Sequence, residues 1–397
     1  MFADLALLPP DALLGLTKIF NEDKREKKID LGVGVFRTLD GRTPILDAVK
    51  RAEAKVLGVQ ATKVYTPPEG APGFADAVAR LVLGEDSKAI ADGRVFALQT
   101  PGGCGALRVG AELLKRAGSA RIVIGSPTWA NHQPLLSAAG LAIEMIPYYE
   151  ARTGGIFFDD FMRGVEKLGR NDALLLHGGC HNPTGADLTA AQTDRVIAAA
   201  ERQGFTPFVD FAYHGLAADL DADAFAVREI ARRLPEALIT YSCSKNFGLY
   251  RERTGALFLI GETAARMAAM KSHALALARG IYSMPPAHGG AIVAEILQSP
   301  ELSALWRREV ADMGAQIRKN RRLFVKTAGE MQFGDRVSFI ERHNGMFSML
   351  PLSETQVMAM RERYGVYMAN SGRINLCGVN EGNVEYLCTG LRDVMRG

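Results

Sequence analysis

Between about Val95 and Ile260 the chain alternates short apolar runs with longer stretches of helical period. Val95–Gln99, Arg121–Ile124, Ala173–Leu176, Thr206–Asp210, Ala237–Tyr241 and Gly255–Ile260 read as strands, because each is brief, apolar and bounded by polar or glycine-containing turns. Gly105–Ala117, Thr189–Gln203 and Phe225–Leu234 read as helices lying between them. That order predicts an α/β fold with a mostly parallel central sheet covered on both faces. Farther on, Pro286–Glu330 is strongly helical in composition. Met346–Leu350, Thr355–Tyr364, Val366–Met368 and Arg373–Leu376 then suggest a smaller α+β lobe. The chain shows no internal repeat, linker or low-complexity segment.

A length of 397 residues allows two or three domains, and 48% hydrophobic residues suffice for a large core. The net charge is +3 with Lys and Arg scattered along the chain, so nucleic-acid binding is not expected. The run Lys24–Lys28 reads as a solvated face. No apolar stretch reaches the ~18 residues of a membrane span. The start, with Asp4 and Pro9-Pro10, lacks the form of a signal peptide, so a cytoplasmic protein is expected. The five cysteines, Cys104, Cys180, Cys243, Cys377 and Cys388, have no CxxC spacing and suit buried thiols in a reducing compartment. Cys180 beside His181 has no matching second pair, so no metal site is expected.

The chemistry concentrates where strands end. Leu174–His177 runs into Gly178–Gly185, a turn containing Asn182; Thr206–Asp210 ends on a carboxylate, with Tyr213 soon after. Ala237–Tyr241 leads into Ser242-Cys243-Ser244-Lys245. Ligands of open α/β sheets sit at the carboxyl ends of strands, so Asn182, Asp210 with Tyr213, and Lys245 look like one shared site. Desolvation lowers a lysine pKa from its usual ~10.4 and makes the amine a nucleophile able to condense with carbonyls. A plain surface-loop lysine is the alternative for Lys245 taken alone. Likewise, Asp210 alone could cap a turn, and Trp129 alone could be core. The glycine run Thr100–Gly105 follows a strand and opens a helix, a position that favours anions. It departs from the GxGxxG pattern at Arg108, which argues against a dinucleotide site.

Taken together, these segments resemble the fold-type I pyridoxal-phosphate aminotransferases, most closely the aspartate and aromatic amino acid aminotransferases. The motifs that carry the similarity are His181–Gly185, Asp210–Tyr213, Ser242–Tyr250, Tyr282–Gly289 and Ser371–Arg373. The similarity runs from about Leu31 to Arg373 in the family's order. It implies a large pyridoxal-phosphate-binding domain over 46–310 and a small domain made of 1–45 and 311–397. It also implies pyridoxal 5′-phosphate as cofactor, with Lys245, Asp210, Tyr213 and Trp129 as the catalytic set. Gly103, Cys104, Ser242, Ser244 and Arg253 would surround the cofactor phosphate; relatives commonly carry Ser or Thr where this chain has Cys104, a weaker donor. Asp210 would keep the ring nitrogen protonated, and Tyr213 with Asn182 would reach the ring's phenolic oxygen. Trp129 would stack on the ring.

For the substrate, the resemblance implies that Arg373 grips the α-carboxylate with Gly34 nearby, and that Arg279 takes the distal carboxylate of dicarboxylic substrates. Family members are homodimers in which that arginine and a tyrosine, here Tyr65, serve the neighbouring subunit's site. The implied activity is transfer of an amino group between an aromatic or acidic L-amino acid and a 2-oxo acid, with the 2-oxoglutarate/glutamate pair as one partner and ping-pong kinetics. Val64, Met284 and the run Tyr65–Gly70 lean towards the aromatic branch, whereas Arg279 favours acidic substrates. A strictly aspartate-specific enzyme is the alternative. More distant alternatives are another pyridoxal-phosphate reaction, such as β-elimination, and a non-catalytic regulatory protein on the same fold.

Overall fold

The computed structural model describes residues 2, 6, 7 and 12–396, so the opening segment with Asp4 and Pro9-Pro10 lies outside the described residues. The chain forms two compact units: Pro44–Gln316 with His343–Gly345, and a second comprising the residues up to Thr43, Ile317–Arg342 and Met346 onward.

The larger unit is built on a sheet of strands β1 (Val95–Pro101), β2 (Arg121–Ser126), β3 (Ala142–Pro147), β4 (Asp172–His177), β5 (Thr206–Phe211), β6 (Ala237–Ser242) and β7 (Thr254–Ile260). Their order is β1-β7-β6-β5-β4-β2-β3. Only β7 runs against its neighbours, pairing antiparallel with both β1 and β6, while every other pairing is parallel. Every residue of β6 and β7 is buried, which is why these segments are apolar without alternation. The edge strand β3 has mixed exposure and a mixed sequence, Ala142-Ile143-Glu144-Met145-Ile146-Pro147, and the apolar pattern does not reveal it.

Helices cover the sheet. Gly102–Arg116 lies close against it: a methyl group added at Gly110 would come within 2.6 Å of the Phe208 ring. Ala190–Gln203 begins at the capping box Thr189/Gln192 and ends at Gly204, whose φ of 76° is left-handed. Ala264–Ile281, rich in alanine and without a sharp apolar stripe, is a further long helix. The helical region from Pro286 to Glu330 resolves into two helices, Ala287–Gln298 and Pro300–Glu330. Pro300 forces the break, because a residue preceding proline, here Ser299 at ψ 115°, is pushed out of the helical region.

The smaller unit packs around Leu31, Phe324, Met360, Ile374, Leu376 and Leu387, all fully buried. Ile29–Asp30 pairs parallel with Val366–Tyr367, and Phe347–Met349 pairs antiparallel with Arg373–Asn375. The helix Glu354–Tyr364 starts at a second capping box, Ser353/Gln356, and stops at left-handed Gly365. In the basic run, residues 24–27 are exposed, while Lys28 donates to the carbonyls of Phe20 and Asp23 at 2.8 and 2.7 Å. Among the described residues no helix is long and apolar enough to cross a membrane.

Candidate active site

Strands β4, β5 and β6 are parallel neighbours, and their ladder sets His177 opposite Asp210 and Asp210 opposite Thr240. Their carboxyl ends therefore meet at one edge of the sheet, as the three polar turns in the sequence suggest.

Asp210 sits at the centre of that edge with 9% of its surface exposed. His132 Nε2 lies 3.1 Å from one of its oxygens, and the Thr240 hydroxyl lies 3.4 Å from the other. The Thr128 hydroxyl links His132 Nδ1 (2.8 Å) to His177 Nε2 (3.1 Å). With both imidazoles neutral, one proton arrangement satisfies an ionised Asp210. His132 Nε2–H donates to the carboxylate, Thr128 O–H donates to His132 Nδ1, and His177 Nε2–H donates to Thr128. Burial works against ionisation of Asp210, but the His132 hydrogen bond and the electrostatic influence of His132, His177 and Lys245 outweigh it, leaving the pKa below the usual carboxylate value. Burial and the neighbouring His132 push His177 down to about 3, so it is neutral at physiological pH. Sequence alone offers no reason to assign Thr128 and His132 a role; a Thr and a His four residues apart are too common to stand out.

Lys245 lies on the turn after β6, its Nζ 4.8 Å from the centre of the Tyr213 ring. Burial lowers its pKa; Asp210 and Cys104 pull the other way and Arg253 adds to the lowering, so all three groups act on the amine. Asn182 Nδ2 is 3.5 Å from the Tyr213 hydroxyl, and both residues are buried. Trp129 is half-buried and meets His132 edge to face at 5.3 Å.

On the other side of Lys245 the end of β1 turns into the helix Gly102–Arg116. Gly102 has φ 69°, a left-handed conformation suited to glycine, and a methyl group there would fall 2.5 Å from the Arg253 guanidinium. Arg253 also has a left-handed backbone (φ 49°), and its Nη1 donates to the Tyr250 carbonyl at 3.1 Å. The Cβ position of Gly103 is 3.3 Å from Ser242 Cβ, and Ser244 N–H donates to Ser242 Oγ at 3.3 Å. The helix start at Gly102 and Gly103, with Cys104 in its first turn, thus lies beside the Arg253 guanidinium and buried Ser242, a donor set suited to a phosphate dianion.

Tyr65 and Arg279 are brought together elsewhere on the larger unit. With Pro68, Tyr282, Ser283 and Met284 they line an open pocket of about 550 Å³ whose walls include none of Lys245, Asp210 or Arg253. Arg279 donates to the Ser283 hydroxyl, and Tyr65 is 88% exposed.

Arg373 and Gly34 both belong to the smaller unit and form one assembly there. Arg373 is buried, donates from Nη2 to the Gly32 carbonyl at 2.7 Å, and has its guanidinium 4.4 Å from the centre of the Phe347 ring. Asn375 Nδ2 donates to the Val33 and Val35 carbonyls at 2.6 and 2.8 Å, fixing the loop that holds Gly34.

The sequence profile described as aminotransferase class I and II matches residues 26–391. The tyrosine aminotransferase of Rhizobium meliloti is 43% identical, over 96% of each chain. The aspartate aminotransferase of Haemophilus influenzae is 39% identical over the full length of both. Among solved structures, an aromatic-amino-acid aminotransferase from Burkholderia pseudomallei, covalently bound to pyridoxal phosphate, superposes with a TM-score of 0.97 at 38% identity, covering 99% of both chains.

Proposed function

The chain belongs to the class I and II aminotransferases, and we propose that it exchanges amino groups between aromatic or acidic L-amino acids and the 2-oxoglutarate/glutamate pair. The observation that carries the residue assignments is the pairing of a buried lysine of lowered pKa with a buried carboxylate at the ends of adjacent parallel strands. Neither group is placed for solubility, and together they suit a coenzyme that offers a carbonyl at one end and a basic ring nitrogen at the other.

When bound, pyridoxal 5′-phosphate supplies an aldehyde that exchanges amines and a protonated ring that takes up electron density. Asp210 would hold the proton on the ring nitrogen, with the His132–Thr128–His177 chain keeping the carboxylate ionised and aimed. Tyr213 and Asn182 would hold the phenolic oxygen, and Trp129 would pack against the ring. Gly103, Cys104, Ser242, Ser244 and Arg253 hold the phosphate. Lys245 would hold the coenzyme through Nζ and, once its amine is free, would carry the proton at the substrate α-carbon. A lowered pKa leaves more of that amine unprotonated at working pH, as the role requires.

Arg373, with the backbone at Gly34, is assigned the substrate α-carboxylate, and Arg279 the distal carboxylate of aspartate and glutamate. We assign Tyr65 and Arg279 to the neighbouring subunit's site in a homodimer. Their separate pocket supports this, and so do Leu57, Val59 and Val64, each more than 70% exposed on the segment leading to Tyr65. Apolar Met284 beside Arg279 supports acceptance of an aromatic ring as well as a carboxylate. The five cysteines are free and four are buried, which suits the reducing cytoplasm.

Steady-state rates with phenylalanine, tyrosine and aspartate, each against 2-oxoglutarate, test the proposal. All three should turn over. Acceptance of aspartate alone would establish the strictly aspartate-specific enzyme instead.

A further inference from the structure

We propose that Arg321 is a positioning residue for substrate binding, acting through Phe347 on the guanidinium of Arg373. The inference rests on the assignment of Arg373 to the substrate α-carboxylate and extends it inward by one layer.

Arg321 lies on the helix Pro300–Glu330 and is 1% exposed, among the largest fully buried side chains of the protein. A guanidinium taken that far from water needs hydrogen-bond acceptors in fixed places. Its Nη1 donates to the Ile340 carbonyl at 2.9 Å and to the Ser348 hydroxyl at 2.7 Å, and its Nη2 donates to the Phe347 carbonyl at 2.6 Å. Two successive residues of the strand Phe347–Met349 are thus clamped by one planar fork. That strand pairs with Arg373–Asn375, placing Met349 opposite Arg373 and Phe347 opposite Asn375.

Phe347 transmits the effect. With its carbonyl held by Arg321, its ring lies 4.4 Å from the Arg373 guanidinium, a cation–π distance, and against Gly34, where a methyl group would fall 3.1 Å from Cζ. The ring is a spacer between the arginine and the glycine loop. A small rotation of the Phe347 backbone would tilt the plane of Arg373, and bidentate recognition of a carboxylate depends on that plane. Lysine at position 321 keeps the charge but cannot span the Ile340 and Phe347 carbonyls with a planar fork. Structural burial alone would make Arg321 matter for folding and leave substrate affinity untouched.

The test uses the coenzyme-loaded enzyme and a double-mutant cycle of Arg321→Lys with Arg373→Lys. KM and kcat are read for aspartate and phenylalanine, together with the dissociation constant of succinate, an unreactive dicarboxylate. Arg373→Lys should raise KM for both substrates by about 50-fold. Arg321→Lys alone should raise KM and the succinate constant by about tenfold with kcat within about twofold, and in the Arg373→Lys background it should add about twofold or less. Multiplying effects in the double variant would overturn the coupling, as would a kcat loss with unchanged succinate binding. An Arg373→Lys enzyme with normal KM would instead remove the assignment of Arg373 itself, a separate failure. Should Arg321→Lys not fold, Phe347→Leu keeps the clamped backbone and removes only the ring; it should raise KM alone, and an unchanged KM there refutes the proposal.

Discussion

Replacing Asp210 by Asn isolates the charge proposed to face the coenzyme ring nitrogen. The change is nearly isosteric: the amide oxygen still accepts from His132 Nε2–H, and Thr240 remains in reach, so the sheet edge should keep its shape. The attraction between the carboxylate and a ring N–H⁺ is lost. At a hydrogen-bond separation of about 3 Å and an effective dielectric of about 20, that attraction amounts to roughly 5 kcal/mol. The amide dipole recovers part of it, leaving about 4 kcal/mol and a loss of about 10³-fold in the amino-transfer rate. Single-turnover kinetics with saturating coenzyme measure this directly, and a melting curve checks the fold. A fully loaded, normally stable Asp210→Asn enzyme within tenfold of the parent rate would refute the role of this carboxylate.

Two further outcomes follow from the geometry. Arg279→Ala should remove the proposed charge-assisted contact to a distal carboxylate, worth about 1.5–3 kcal/mol, so KM for aspartate and glutamate should rise about 10- to 150-fold while phenylalanine changes less than about threefold; equal losses for acidic and aromatic substrates would contradict the pocket assignment. Stability should also fall in acid because of His214, which is buried, donates from Nε2 to the Leu220 carbonyl at 2.6 Å, and lies 3.2 Å from the Tyr241 hydroxyl. Burial lowers its pKa from 6.5 to about 4, so between those values the unfolded chain takes up a proton that the folded one refuses. The stabilisation is whole above pH 6.5 and is lost as pH falls towards about 4, by roughly 3 kcal/mol for this one group. Urea midpoints measured from pH 7.5 to 4 should therefore decline less steeply for His214→Asn than for the parent, and parallel curves would refute the attribution.

The central sheet was legible because its strands are buried on both faces, so Leu174–Leu176 and Ala237–Tyr241 stand out as unbroken apolar runs. Strand β3 was not, since an edge position tolerates Glu144 and exposed Met145 and erases the pattern. The break at Ser299 was written in Pro300, although composition alone blends the two helices it separates. Asp210 and Lys245 could be paired from sequence because parallel strands deliver their ends to one edge. The long-range packing partners could not. His132 reaches Asp210 across 78 positions, and Arg321 reaches Phe347 across 26; such contacts depend on packing, and no local period encodes them.

The most direct measurement is borohydride reduction of the pyridoxal-phosphate-loaded protein, followed by peptide mapping. A single stable coenzyme adduct on Lys245, with loss of the visible absorbance and of amino transfer, is the expected result. An unlabelled Lys245, or an adduct confined to some other lysine in a protein that still transfers amino groups, would contradict the account.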